Sequence, residues 1–135
     1  MDTSSYLFVY GTLLSEGNEF AVFLMENSIF YGNGKFKGKL FDIGEYPGAI
    51  SRPGCEYYVY GQVFMMYKPE TILRRLDDYE GFGKDQPEPN EFVRQLIEVE
   101  TDDQPLKCWI YIYDLPIDGL WQIRQGNYLE YTKIS

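Results

Sequence analysis

The sequence predicts a small α+β domain organised around a strongly curved or closed β-sheet. Aromatic residues make up 18% of the chain, with thirteen tyrosines and nine phenylalanines, and much of this content falls in β-prone runs. Two segments with helical spacing interrupt those runs, and there is no heptad, internal repeat or low-complexity block. At 135 residues the chain has room for one core, so a single domain spanning residues 1–135 is expected.

Tyr6-Leu7-Phe8-Val9-Tyr10 is apolar on both faces, as a strand buried on both sides must be, and Gly11-Thr12 breaks it. Asn18 to Phe30 reads as the first helix. Ala21, Leu24, Met25 and Ile29 recur there at helical spacing, and Asn18 is placed to cap the start. Gly32-Asn33-Gly34 reads as a turn into a second strand, Phe36 to Ile43. Tyr46-Pro47-Gly48-Ala49-Ile50 is a turn leading into a short third strand, closed by Arg52-Pro53-Gly54. Glu56 to Tyr67 is the longest strand expected, with Gly61 as a bulge or bend. Pro69 to Tyr79 is the second helix, its proline suited to the first turn. A polar Gly/Pro-rich loop, Gly81 to Pro89, precedes two alternating strands, Phe92 to Glu100 and Leu106 to Tyr113. Thr101-Asp102-Asp103-Gln104 joins them as a hairpin. The tail holds Trp121 and Tyr128 around Gly126.

Composition narrows the chemistry. Twelve basic against twenty-one acidic residues give a net charge of −9, which offers no electrostatic reason to bind nucleic acid or an anionic membrane. Histidine is absent, which excludes Ser-His-Asp and Cys-His machinery, imidazole metal ligands and an imidazole pH switch. Proton transfer then falls to carboxylates, tyrosines, lysines or water. Cys55 and Cys108 form no CxxC pair and cannot by themselves build a usual four-ligand zinc site, so they are expected as small buried apolar side chains, with no metal. Met1 to Ser5 lacks the basic flank of a signal peptide, and no apolar run approaches the ~20 residues of a membrane span. A soluble, cytoplasmic setting is expected.

The second helix ends in three acids. At about 100° per residue, Ile72, Leu73, Leu76 and Tyr79 form one apolar stripe. Asp78 projects nearly opposite it and Asp77 lies at its edge, whereas Glu80 points with the stripe. Gly81 follows, as a C′ residue in the left-handed conformation would. Periodicity leaves two readings open. In one the helix frays after Leu76 and Glu80 is a solvated loop acid. In the other, desolvation and the negative helix end raise the Glu80 pKa toward that of a general base working near neutral pH. Tyr10-Gly11-Thr12-Leu13-Leu14 is open in the same way. It is a structural turn, or a run of main-chain N–H groups nested for a carboxylate or oxyanion. Gly32, Gly34 and Gly38 have neither the spacing nor the strand-to-helix context of a dinucleotide fingerprint.

Taken in order, these segments resemble the γ-glutamylcyclotransferase-like superfamily, in particular its short branch of γ-glutamylamine cyclotransferase and the plant avirulence-induced proteins. FVYGTLL (Phe8 to Leu14) is similar to the branch's N-terminal signature, YPGAI (Tyr46 to Ile50) to its second element, and VYGQVF (Val59 to Phe64) to its V-x-G-x-[VL]-[YF] strand. LDDYEG (Leu76 to Gly81) resembles the L-D-x-x-E-G segment that carries the family's catalytic glutamate. EFVRQLIEV (Glu91 to Val99) resembles the Y-x-R-x-x-V-x-V strand, with Phe92 where tyrosine is usual. CWIYIY (Cys108 to Tyr113) and IRQGNYLEY (Ile123 to Tyr131) resemble the closing elements.

The resemblance implies a small mixed β-barrel with flanking helices and a cyclotransferase that needs no cofactor. Such an enzyme cleaves a γ-glutamyl amide by intramolecular attack of the α-amine, giving 5-oxoproline and a free amine or amino acid. It implies Glu80 as the catalytic acid–base, the Tyr10, Gly11, Thr12 and Leu13 backbone around the γ-glutamyl group, and Tyr46 as either pocket wall or packing. Arg94 is expected in a structural ion pair, Trp109 and Tyr111 as barrel wall, and the Phe92 replacement removes a hydroxyl from that strand. The amine half of the substrate is left to the loops, chiefly Gly83 to Asn90. The partner expected is a small γ-glutamyl molecule, with no nucleic acid and no membrane, bound by a monomer. The alternative is a barrel that binds a small carboxylate metabolite without turnover. A protein-interaction scaffold would need an exposed apolar patch larger than a few hundred Å².

Overall fold

The computed structural model describes residues 4–11, 19–83, 86 and 88–133. The elements in chain order are β1 (Tyr6–Val9), α1 (Glu19–Asn27), β2 (Ser28–Asp42), β3 (Pro47–Ser51) and β4 (Tyr58–Met66). There follow α2 (Pro69–Glu80), β5 (Phe92–Thr101), β6 (Leu106–Tyr113), β7 (Trp121–Ile123) and α3 (Tyr128–Lys133). β2, β4, β1, β6 and β5 lie side by side, and β5 returns to β2 through Gly34↔Thr101 and Lys35↔Glu100, which closes a five-stranded barrel. β1 and β6 run parallel while the other ring pairings are antiparallel, so the barrel is mixed. β3 and β7 flank the last part of β2 on either side.

β1 is buried on both faces, which accounts for its unbroken apolar run. Leu7 and Val9 pack with Leu24 of α1 and with Ile72, Leu73 and Leu76 of α2. Phe8 and Tyr10 face the other way, among Phe36, Val59, Val63, Val99 and Ile110. The alternation of Leu106–Tyr113 does the same: Cys108, Ile110 and Ile112 join the second group and Tyr111 the first. Cys108 is buried, its thiol pushed up to about 12 by desolvation, whereas Cys55 is only half-buried; both are free thiols. Among the described residues no helix is long and apolar enough to cross a membrane.

The structure corrects the sequence reading in four places. The first helix stops at Asn27, where Asn27 Nδ2 and Ser28 Oγ donate to the carbonyls of Phe23 and Leu24, and Ser28–Phe30 already belongs to β2. Of its expected apolar stripe only Leu24 is buried, and Met25 stands 72% exposed; Asn18 lies outside the described residues. Gly32-Asn33-Gly34 is not a turn but part of the 15-residue strand β2. Its glycine serves close approach, since a Cβ at Gly34 would come 2.6 Å from Val99 Cγ1 where the barrel closes. The longest strand is therefore β2 rather than β4, and the irregularity lies in β2 between Phe30 and Gly32, while Gly61 pairs in register with Gly34. Finally, the tail is ordered as β7 and a third helix, α3, anchored by buried Tyr128.

Candidate active site

Ile72, Leu73 and Leu76 are buried as their spacing requires, which presses α2 against the barrel beside β1, whereas Tyr79, the fourth member of the expected stripe, is exposed. Pro69 occupies the first turn. At the other end the helix does not fray. Gly81 takes the left-handed conformation (φ 73°), and the Phe82 and Gly81 N–H groups donate to the carbonyls of Asp77 and Asp78 at 2.8 and 3.3 Å. Glu80 is consequently the last helical residue, and its side chain joins the wall of a cavity of about 470 Å³.

That cavity lies where β1 ends. Tyr10 and Gly11 border it from β1, Tyr46 and Pro47 from the entry to β3, and Glu91 and Phe92 from the entry to β5. A Cβ at position 11 would sit 2.8 Å from Pro47 Cγ, so glycine there lets the end of β1 and the entry to β3 approach without either one shifting. Tyr10 is fixed from two sides: its hydroxyl donates to the Tyr111 carbonyl at 2.6 Å and accepts from the Ala49 N–H at 3.2 Å. Burial, followed by the Glu80 charge, pushes the Tyr10 phenol far up, so it stays protonated.

The Glu80 carboxyl is raised from 4.5 to about 7. Desolvation is the larger cause and the charge of Glu91 the second. Glu91 was not among the residues singled out from the sequence. No periodic pattern marks it, because it lies one residue ahead of β5 and enters the cavity only through the sheet's closure. Its carboxylate accepts the Tyr46 hydroxyl hydrogen. Tyr46, pushed up by burial and by this hydrogen bond, stays protonated and remains a hydrogen-bond donor throughout the neutral range. It therefore lines the cavity and also packs, with its ring centroid 5.9 Å from that of Phe92.

Arg94 stands apart from this cavity. Its Nε and Nη2 meet the two Asp77 carboxylate oxygens at 2.8 and 3.1 Å, and its guanidinium lies 4.7 Å from the centre of the Trp109 ring. Tyr111 donates at 2.7 Å to Asp77 Oδ1, the oxygen that also accepts from Arg94 Nε, and it borders the cavity, so Tyr111 is both wall and support. The edge position of Asp77 on α2 thus becomes a clamp one turn before Glu80, and Asp78 is exposed. Thr12 and Leu13 lie outside the described residues. Among the described residues no group of three or more Cys, Asp or Glu side chains is arranged to hold a metal ion.

Fold and site together define a closed mixed barrel with an acid of elevated pKa facing a cavity at the end of its first strand. Residues 7–130 match the family model described as gamma-glutamyl cyclotransferase, AIG2-like. The chain belongs to this family. It is 31% identical over 126 residues to the gamma-glutamylcyclotransferase family protein ytfP of Citrobacter rodentium, covering 92% of this chain and 95% of that one. Among solved structures, YkqA from Bacillus subtilis is similar with a TM-score of 0.72 and 27% identity over 96% of this chain, which spans only 41% of YkqA. An aig2-like protein from Mus musculus shares the fold, with a TM-score of 0.72, 21% identity, and coverage of 92% of this chain and 87% of that one.

Proposed function

We propose that the protein is a γ-glutamyl cyclotransferase that releases 5-oxoproline from a γ-glutamyl amide, with Glu80 as the acid–base. The observation that carries this reading is a carboxyl group at the end of α2, facing a cavity and raised to about 7. Near neutral pH such a group both accepts and returns a proton. The substrate supplies its own nucleophile, so the absence of histidine is no obstacle.

In the proposed reaction Glu80 takes a proton from the substrate's α-ammonium, and the freed amine attacks the γ-carbonyl carbon. The carbonyl oxygen gains negative charge, and the main-chain N–H of Gly11, where β1 ends, receives it. As the tetrahedral intermediate collapses, the ring nitrogen loses a second proton and the bond to the departing nitrogen breaks. Glu80 delivers one proton to that nitrogen, and the released amine takes the other through solvent, so protons balance. The new C–N bond closes a five-membered ring, and holding the chain folded supplies most of the rate advantage. Tyr46 and Tyr10, both protonated, border the substrate without taking part in the transfer.

The test is to incubate the purified protein with γ-glutamyl amino acids and γ-glutamyl amines and to quantify 5-oxoproline. Release by the wild type and a loss of roughly 10²-fold or more in Glu80→Gln are expected. An active protein whose Glu80→Gln variant keeps full rate would remove Glu80 from the role. Saturable ligand binding with no product after prolonged incubation would favour the barrel as a binding module.

A further inference from the structure

We propose that Tyr131 is a positioning residue for the cavity: through Asp42 it fixes the turn between β2 and β3, and so sets where the Tyr46 hydroxyl meets Glu91. The placement stands on the fold alone, whereas its effect on turnover rests on the reading above.

Helix α3 has six residues, too few to persist in water without outside contacts. Its seat on the barrel is fixed at its start. The Tyr60 N–H of β4 donates to the Gly126 carbonyl at 2.8 Å, and the Gly126 N–H donates to the Ile123 carbonyl at 3.0 Å. Tyr128 then joins the buried cluster that holds Leu40 and Ile123.

From this seat two hydroxyl groups reach the turn. The ladder pairs Asp42 with Pro47, which fixes the two ends of the turn but not the path of Ile43, Gly44, Glu45 and Tyr46 between them. Tyr131 donates to Asp42 Oδ2 at 2.8 Å, while Asp42 Oδ1 accepts the Gly44 N–H at 2.9 Å. One carboxylate thereby joins the helix to the turn. That bond pushes the Tyr131 phenol up, which keeps it protonated as the donor. The Tyr128 hydroxyl donates to the Glu45 carbonyl at 3.4 Å as a second, longer link, and the Ile43 N–H closes the turn on the Tyr46 carbonyl at 3.1 Å.

Glu45, Tyr46 and Pro47 then line the cavity. The Tyr46 hydroxyl stands at the far end of a long rigid side chain, so a small rotation of the turn carries it out of hydrogen-bonding range of Glu91. Neither Tyr131 nor Asp42 is among the described residues that line the cavity. A kinetic effect of either must therefore pass through the turn.

The experiment follows the Tyr46 Cζ resonance in protein whose tyrosines carry a stable carbon isotope at that atom, assigned by its loss in Tyr46→Phe. In Tyr131→Phe, which removes only a hydroxyl, the resonance is expected to move toward that of tyrosine free in water. Asp42→Asn, which keeps one acceptor, should move it less, and serves as a second route if Tyr131→Phe fails to fold. Tyr31→Phe removes a hydrogen bond to Asp103 elsewhere and should leave it in place. An unmoved resonance in both Tyr131→Phe and Asp42→Asn, or an equal shift in Tyr31→Phe, would overturn the proposal. A parallel assay measures kcat for 5-oxoproline release from γ-glutamyl-alanine and γ-glutamyl-butylamide at a temperature where each variant is fully folded. Tyr131→Phe should lower kcat roughly three- to tenfold, and should leave it nearly unchanged when Tyr46 is already phenylalanine, since an effect carried by that hydroxyl is lost with it. Equal losses in both backgrounds would mean that Tyr131 acts by another route, and would overturn the proposal. A shifted resonance without product from either amide would overturn the cyclotransferase reading and leave the positioning role standing. Product release with an unmoved resonance would do the reverse.

Discussion

Replacing Glu80 by glutamine should make the folded protein more stable, by an amount that depends on pH. The native carboxyl is raised from 4.5 to about 7, so between those values the folded state holds a proton that the unfolded chain releases. Wild-type stability therefore falls as pH rises through this window. At ~1.4 kcal/mol per pH unit the displacement amounts to about 3 kcal/mol by pH 8, less whatever water screening at this partly buried position removes. Glutamine has nearly the same shape and does not titrate. Urea unfolding of both proteins at half-unit steps from pH 4 to pH 8 isolates the effect, because every other acid is common to the two. The variant's advantage should grow from near zero at the acid end to roughly 3 kcal/mol at the alkaline end. A difference that stays flat with pH, or a wild type that is the more stable at pH 8, would refute the claim that this carboxyl is desolvated. Enhanced stability joined to lost 5-oxoproline release is the pattern of a residue kept for chemistry at the expense of folding.

Three further expectations concern separate parts of the molecule. In kcat/KM against pH the acid limb should lie near 7 if the proposed reaction, which starts from the ionised form of Glu80, holds, and in Glu91→Gln it should move to lower pH because a repelling charge has gone. Arg94→Ala should cost about 1–3 kcal/mol in urea unfolding, because half-buried Asp77 loses its bidentate partner, and Arg94→Lys should cost less. Loss of the clamp one turn before Glu80 should also lower kcat in both variants. Gly126→Ala should cost at least ~2 kcal/mol in thermal or urea unfolding, since its φ of 71° is left-handed and a Cβ there would lie 1.8 Å from the Tyr58 carbonyl oxygen.

Much of the fold was legible because its signals are local. The two-faced apolar run of β1, the stripe and terminal glycine of α2, and the alternation of β5 and β6 each follow from neighbours in sequence. Gly32-Asn33-Gly34 misled because turn-forming residues also serve where strands approach closely, and only the pairing with β4 and β5 decides between the two uses. The first helix was drawn too long because Ile29 continues a helical spacing that the side-chain bonds of Asn27 and Ser28 interrupt. Short α3 escaped notice, since its place depends on Tyr128 finding the core.

The same division applies to the candidate site. Glu80 was legible from its phase on α2, yet periodicity could not separate a cavity acid from a solvated one; the resemblance to a family did that. Glu91 was not legible at all, because its neighbours Tyr46 and Glu80 are 45 and 11 positions away and only the closed sheet brings them to one hollow. The clamp of Asp77 by Arg94 and Tyr111 joins three elements by long-range bonds that no pattern along the chain encodes.

The unbroken course of β2 has a consequence for how the molecule opens. Its first part is hydrogen-bonded to β4 and β5, and its last part to β3 and β7. The outer ladder cannot peel away as an independent unit, because its central rail is also a stave of the barrel. Amide protons of β3 and of Gly38–Asp42 should therefore exchange with deuterium only through the global opening, at the same free energy as those of β1. Tyr46 and Pro47, at the root of that ladder, inherit the rigidity of the barrel rather than the mobility usual for a loop.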